Sequence, residues 1–292
     1  MSALLENLRR ICGDANVLTH DDPHTDLSAW EQDWRKRSHG RALAVVRPAN
    51  VQEVAAVVKA CANTSTSIVP QGGNTGLVVG SVPDASGQQV VLSLQRMNQV
   101  RALDPANLTV VAEAGCILQS VQEYVEKSGY LFPLSLAAEG SCTLGGNLGT
   151  NAGGTQVVRY GNTRELCLGL EVVTGTGEIV RTGSRMVKDV AGYDLTRLFV
   201  GSEGTLGIFT EITTILNPRP HAAKYGVAYF TDLAAASNAV DQVVRAGILP
   251  ATMEFLDNSC ILAVEEFAHL GLDTQAGALL LFGDDGEPDF ID

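Results

Sequence analysis

The sequence predicts an α+β fold, with one large domain and part of a second. Three observations carry this. Short apolar runs alternate with helical patterns through the first third. Farther on, two apolar runs flank Gly175-Thr176-Gly177, a hairpin signal. The break Asn217-Pro218-Arg219-Pro220 then precedes a new strand and helix series. A length of 292 residues fits one large domain plus a piece of another.

The elements run in this order. Ser2–Cys12 has a helical apolar pattern, and Ala42–Val46 reads as a buried strand. Asn50 with Glu53 forms a capping box that opens a helix over Val51–Ala62. Ser67–Val69, Val90–Leu94 and Leu108–Ala112 read as strands, and Ile117–Lys127 as a helix stopped by Gly129. Cys167–Thr174 and Glu178–Thr182 make the hairpin, and Thr205–Leu216 is a longer β-rich run. After the proline break the reading is a strand at Tyr225–Phe230 and a helix at Asp232–Arg245. A helix at Glu254–His269 and a strand at Leu279–Phe282 complete it. The expected divisions are 1–40 (helix and polar loop), 41–219 (main domain) and 220–292 (a partial further domain). Asp284–Asp292 carries five acids and does not continue the strand–helix pattern, which suggests a truncated chain.

Charge excludes some functions. Lysine and arginine number 20 against 33 acids, a net −13 at neutral pH. Such a chain repels a phosphate backbone and an anionic membrane surface, so neither is an expected partner. No apolar run reaches bilayer length, and the N-terminus lacks a signal-peptide core, so a cytoplasmic location is expected. The six cysteines form no Cys-x-x-Cys pair and read as free buried thiols.

Three glycine-rich segments stand out. They are Pro70-Gln71-Gly72-Gly73-Asn74-Thr75-Gly76-Leu77, the stretch from Gly140 through Gly145-Gly146-Asn147 to Gly153-Gly154, and Gly201-Ser202-Glu203-Gly204-Thr205-Leu206-Gly207-Ile208. Glycine lets successive N–H groups point into one concavity, which binds anions without a side-chain charge. None of the three holds lysine or arginine. No Gly-Lys-Ser/Thr occurs, which excludes a Walker loop. The spacing also fails the Gly-x-Gly-x-x-Gly turn of a Rossmann domain.

In this order the segments resemble the FAD-binding domain of the family that includes vanillyl-alcohol oxidase and p-cresol methylhydroxylase. Within it the likeness leans to flavin-linked D-2-hydroxy acid dehydrogenases: D-2-hydroxyglutarate dehydrogenase, D-lactate dehydrogenase and the flavin subunit of glycolate oxidase. The stretches that carry it are RPANVQEVAAVVKAC, IVPQGGNTGLVVGSVPD, LFPLSLAAEGSCTLGGNLGTNAGG, RYGNTRELCLGLEVVTGTGEIV and VAGYDLTRLFVGSEGTLGIFTEITTILNPRP. The resemblance implies a PCMH-type FAD-binding domain of two α/β subdomains, followed by the start of an α+β cap domain. It implies that Gln71, Gly72, Gly73, Asn74, Thr75, Gly76 and Leu77, with Ser81, wrap the FAD pyrophosphate. Pro133, Gly140, Ser141, Gly145, Gly146, Asn147, Thr150, Asn151, Gly153 and Gly154 would run beneath the ribityl chain and isoalloxazine. Glu203, Gly204, Gly207 and Ile208 would meet the nucleotide end. Some relatives attach the flavin through a histidine in the first loop; Asn74 stands there instead, so non-covalent FAD is expected.

The implied reaction is oxidation of a small D-2-hydroxy acid to the 2-oxo acid, with hydride passing to flavin N5 and then to an electron acceptor. No catalytic or metal residue is assigned. The late histidine segment of the subfamily has no counterpart, which leaves a non-catalytic FAD-binding subunit, or a product needing a second polypeptide, as the alternative. His20 and His24 read as a solvated polar loop, His221 as a linker residue and His269 as a helix end. Lys188 reads as a surface residue, Tyr193 as buried packing against a helix start, and Cys142 as a small packing residue.

Overall fold

The computed structural model describes residues 2–22 and 25–290 and divides them into two compact units. His24 therefore lies outside the described residues. The first unit comprises residues 1–132, 137–152 and 163–217; the second comprises 133–136, 153–162 and 218–292.

The first unit contains two sheets. One has the order Val17–Leu18, Ala42–Val46, Gln89–Ser93, Ile68–Gln71. Its last three strands are parallel, and the first pairs antiparallel to Ala42–Val46. Parallel strands need a helical crossover, and Val51–Asn63 supplies one. Asn50 caps that helix, its Oδ1 accepting from the Glu53 N–H at 2.9 Å, while a Glu53 carboxylate oxygen accepts from the Ala49 N–H at 2.8 Å. Val54, Val57, Val58 and Cys61 recur on one face of this helix and are buried.

The second sheet is antiparallel, with the order Val100–Asp104, Thr109–Glu113, Gly207–Ile215, Cys167–Thr174, Ile179–Gly183. Cys167–Thr174 falls where the sequence puts it, and Gly177 takes the left-handed turn position at φ 75°. The strand Val100–Asp104 is an addition, missed because VRALD has no clean alternation. Two buried carboxylates brace the sheet: Glu113 meets Arg101, and Glu171 accepts from Arg181 at 2.7 Å and from Thr210 Oγ1 at 2.9 Å.

In the second unit, Ala222–Phe230, Ala278–Gly286 and Thr252–Asp257 form an antiparallel sheet with Ala278–Gly286 in the middle. Helix Leu233–Arg245 starts at Asp232, whose carboxylate accepts from the Ala235 N–H, and is followed by left-handed Gly247. Two expectations are corrected. Thr252–Asp257 is a strand, and the helix begins only at Asn258. Met253-Glu254-Phe255-Leu256 pairs along the central strand, and Asp257 caps the helix Asn258–Ala268. Asp284 and Asp285 also continue the central strand rather than leaving it, and Arg159 holds Asp285 at 2.7 Å while Tyr160 donates to the same carboxylate at 2.9 Å. Burial and then Asp285 push the Tyr160 phenol up to about 12. Among the described residues, no helix is long and apolar enough to cross a membrane.

Candidate functional site

The first glycine loop leaves the C-terminal end of strand Ile68–Gln71. Two amide side chains shape it. The buried Gln71 donates through Nε2 to the carbonyls of Trp30 (2.9 Å) and Ser81 (2.7 Å). Asn74 donates through Nδ2 to the carbonyls of Ala29 (3.1 Å) and Gln32 (2.8 Å), and its Oδ1 accepts from Ser81 Oγ at 2.9 Å. Asn74 sits in the left-handed region at φ 52°, which asparagine tolerates better than most residues. The loop is thus tied to its own end and to residues 29–32 by side chains. Its main-chain donors stay free: the N–H groups of Gly72 to Gly76 donate to no protein acceptor among the described residues.

The second segment crosses directly behind it. A β-carbon at Gly72 would lie 2.4 Å from Thr143 Oγ1, and one at Gly73 would lie 2.0 Å from the Ser141 carbonyl oxygen. Only glycine permits this approach. Thr143 caps the short helix Leu144–Gly149, and the Gly145 N–H donates to the Ala114 carbonyl at 2.8 Å. Ala114 in turn donates to Thr210, so the segment is anchored on the central strand of the second sheet. The third loop is hung from this helix: the N–H groups of Gly201 and Glu203 donate to the carbonyls of Leu148 and Gly149, each at 2.8 Å.

The three loops enclose a cavity of about 160 Å³. Gln71, Gly72, Gly73, Asn74, Thr75, Gly76, Ser81, Gly145, Gly146, Asn147, Thr150, Glu203, Gly204, Gly207 and Ile208 line it. Leu77, Gly140, Ser141 and Asn151 do not, although the Ser141 carbonyl supports Gly73. Asn151 instead accepts from the Arg164 N–H at 2.9 Å. Pro133, Gly153 and Gly154 belong to the second unit, where Gly154 is pressed against the Ser135 carbonyl. Sequence reasoning missed Pro70, Val78, Gly80, Leu94, Ala114, Cys142, Thr143, Gly149 and Phe209 as lining residues. Thr143 was findable as a cap three residues before Gly146. A second cavity of about 210 Å³ shares Pro70, Gly204, Gly207 and Ile208 with the first.

Among the described residues, no lysine, arginine or histidine lines the first cavity. Its donors are main-chain amides and neutral side chains, the equipment of an anion cradle. Drug-sized sites enclose ~300–1,000 Å³. The first cavity is smaller than that, so it takes an anionic segment of a longer ligand, and the adjoining cavity, which shares four lining residues, extends it.

Other sequence candidates lie elsewhere. Tyr193 is 94% exposed, which overturns its reading as buried packing. His20 is exposed in its polar loop, with Nε2 2.8 Å from the buried Glu31, His221 meets Glu287 at 2.8 Å, and His269 ends a helix in the left-handed region. Among the described residues, no group of three or more His, Cys, Asp or Glu could hold a metal. Cys12, Cys61, Cys116, Cys142 and Cys167 are buried, whereas Cys260 is exposed, against expectation. Burial pushes the thiols of Cys61 and Cys116 up to about 11 and those of Cys12 and Cys167 to about 12; Cys142 is also raised by burial. These thiols stay protonated near pH 8, below the ordinary ~8.5. Ellman's reagent is therefore expected to label Cys260 first in the native protein, and the other five only on unfolding. Equal native reactivity of Cys142 would contradict this packing. The sign also sets alkaline behaviour: these groups favour the folded state below the unfolded thiol pKa, and that contribution is lost as pH rises through about 11 to 12.

Comparison with known families decides the kind of ligand. Residues 42–183 match the family described as FAD binding domain, and residues 219–290 match FAD linked oxidases, C-terminal domain. The chain belongs to the FAD-linked oxidases. FAD is its cofactor, and the fold is the α+β PCMH type. Over 281 residues it is 39% identical to the glycolate oxidase subunit GlcD of Bacillus subtilis (strain 168), covering 96% of this chain and 59% of that one. It is 39% identical over 254 residues to the mitochondrial D-2-hydroxyglutarate dehydrogenase of Bos taurus, covering 86% and 45%. The chain thus spans about half the length of these relatives. Among solved structures it resembles alkyldihydroxyacetonephosphate synthase (TM-score 0.83, 21% identity, 100% of this chain and 58% of that one). It also resembles p-cresol methylhydroxylase (TM-score 0.74, 19% identity, 100% and 62%). These two likenesses concern the fold alone.

Proposed function

We propose that this chain is the flavin-holding part of a dehydrogenase that oxidises a small D-2-hydroxy acid of the glycolate, lactate or 2-hydroxyglutarate class to the 2-oxo acid. The observation that carries it is that Gly72 to Gly76, whose five N–H groups meet no protein acceptor among the described residues, line one cavity with glycines of two further loops. In this reading residues 41–219 hold the cofactor and residues 220–292 begin the substrate side. When bound, FAD accepts hydride from the substrate Cα at N5.

The chain's own residues do the rest. The amides of the first loop compensate the diphosphate charge. Gly72 and Gly73 let the second segment close behind it. Gly145, Gly146, Asn147 and Thr150 line the same cavity and would hold the flavin end. Pro133, Gly140, Ser141, Asn151, Gly153, Gly154 and Leu77 remain family-implied contacts. Distant acidic groups do not oppose this, because solvated charges are screened beyond about 8–10 Å. In this reading FAD is held without a covalent bond, with no histidine among the described residues that line the cavity. The reaction passes electrons to an acceptor, and we place it in the cytoplasm.

A second reading has one specific support. The B. subtilis relative is named a subunit, and this chain spans 59% of it. The chain would then be a FAD-binding subunit that needs another polypeptide for the substrate. Anaerobic addition of glycolate, D-lactate or D-2-hydroxyglutarate to the flavin-loaded protein separates the two. Bleaching of the flavin band by any of them supports the dehydrogenase reading. No bleaching by any, in protein that binds FAD, supports the subunit.

A further inference from the structure

The first glycine loop hangs from a row of carbonyls that must itself be fixed. Gln71 and Asn74 donate to the main-chain oxygens of Ala29, Trp30 and Gln32. These residues lie in, or just after, the four-residue helix Ser28–Glu31, which has no side-chain cap. So short a helix does not hold its own shape in water. Leu27 and Trp30 pack it against Ala42, Val45, Val69 and Val91. Apolar packing is non-directional, so it does not by itself fix where the carbonyls point. The remaining residue of the row supplies directional bonds. Glu31 is 3% exposed, and its Oε1 accepts from the Ala42 N–H at 2.6 Å and from His20 Nε2 at 2.8 Å. Its main-chain oxygen accepts from the Gly40 N–H at 2.8 Å. Between these two ties, the Arg41 N–H donates to the carbonyl of Asp84, three residues past Ser81, at 2.8 Å.

We propose that Glu31 is a positioning residue of the cofactor site. Through Ala42 and His20 it fixes the carbonyls of Ala29, Trp30 and Gln32, and through Gln71 and Asn74 the amides of Gly72 to Gly76. This rests on the reading that those amides hold the FAD diphosphate. Glu31 does not line the cavity, so it acts through the loop and not on the ligand. Two physical roles predict opposite signs. As a bare buried charge, Glu31 would repel a diphosphate, and its removal would tighten FAD binding. As a tie, it keeps a buried N–H paired and the loop in place, and its removal weakens FAD binding.

The test is calorimetric titration of FAD into apo-protein, with a thermal melt of each variant, below the lowest melting temperature of the set. Wild type is compared with Glu31→Ala, Glu31→Gln, His20→Ala and Glu171→Ala. Glu171 is the control: another buried carboxylate of the same unit, bonded to Arg181 and Thr210 and absent from the cavity lining. Glu31→Ala is expected to bind FAD at least about tenfold more weakly, as for lost hydrogen bonds to a charged group. Glu31→Gln keeps an oxygen acceptor for Ala42 and should stay within about threefold of wild type, a rescue by the conservative side chain. His20→Ala removes one donor from an exposed position, so it folds, and should weaken FAD about threefold. Glu171→Ala should lower the melting temperature yet keep FAD affinity within about twofold. The proposal is overturned if Glu31→Ala or His20→Ala leaves FAD affinity unchanged or tightens it. It is equally overturned if Glu31→Gln falls as far as Glu31→Ala, or if Glu171→Ala weakens FAD as much. Should Glu31→Ala give no folded protein, Glu31→Gln and His20→Ala decide by the same criteria. Wild type that takes up no FAD overturns the reading of the cavity, and this proposal with it.

Discussion

Gly73→Ala is expected to lower FAD affinity by roughly 100-fold, equivalent to ~2.7 kcal/mol. The new β-carbon would lie 2.0 Å from the Ser141 carbonyl oxygen, 2.9 Å from its carbon and 3.0 Å from Cys142 Cα. All three are main-chain atoms, so no flexible side chain can swing aside. The loop or the segment behind it must shift, and forced shifts of this kind cost about 1–3 kcal/mol. The five free amides of the first loop are then displaced from the positions in which they line the cavity. Gly76→Ala is the matched control, because a β-carbon there meets nothing within 4 Å. It should leave the melting temperature of the apo-protein unchanged. Isothermal titration of each variant, with a thermal melt of its apo form, checks the pair. Equal FAD affinity in wild type and Gly73→Ala would show that the approach of the two segments is not what shapes the site.

Asn74→Ala is the second large effect. It removes the hydrogen bonds to Ala29, Gln32 and Ser81 and places alanine at φ 52°. Three bonds at about 0.5–1.5 kcal/mol each, with a further ~1 kcal/mol for the backbone, predict a loss of about 4 kcal/mol. Chemical denaturation of the apo-protein measures it. Asn74→Gly separates the contributions: it tolerates the left-handed angle yet makes none of the bonds. Its stability should therefore fall between those of wild type and Asn74→Ala. If Asn74→Gly matches wild type, the ties to residues 29–32 contribute nothing and the backbone angle is the whole effect.

Much of this arrangement is legible in the sequence because glycine and its neighbours are informative at close approaches. Asn50 and Glu53 announce a helix start that forms as written, and Gly175-Thr176-Gly177 announces a hairpin. The three glycine segments do meet at one cavity. The hidden features depend on partners far along the chain. Met253-Glu254-Phe255-Leu256 has no local feature that favours strand over helix; pairing with Ala278–Gly286 decides it. Val100–Asp104 is half-polar and becomes a strand because Thr109–Glu113 returns beside it. Tyr193 has the residue type of core packing, yet it is exposed, as are its neighbours Val190 and Leu195. Within the glycine segments, composition does not say which residues turn inward. Leu77 and Thr75 are two positions apart; Thr75 lines the cavity and Leu77 does not.

The central claim is that the free main-chain amides of the first glycine loop, in a cavity completed by two further loops and without a cation, hold one FAD diphosphate. Titration of FAD into the apo-protein, read by melting temperature and stoichiometry together, tests it most directly. One FAD per chain is expected. At 100 times the dissociation constant, binding contributes about 2.7 kcal/mol, a rise of roughly 5–10 °C for a chain of this size. The gain should largely disappear in Gly73→Ala. A wild-type protein whose melting temperature ignores saturating FAD, or that binds it equally well with Gly73 replaced, would contradict the account.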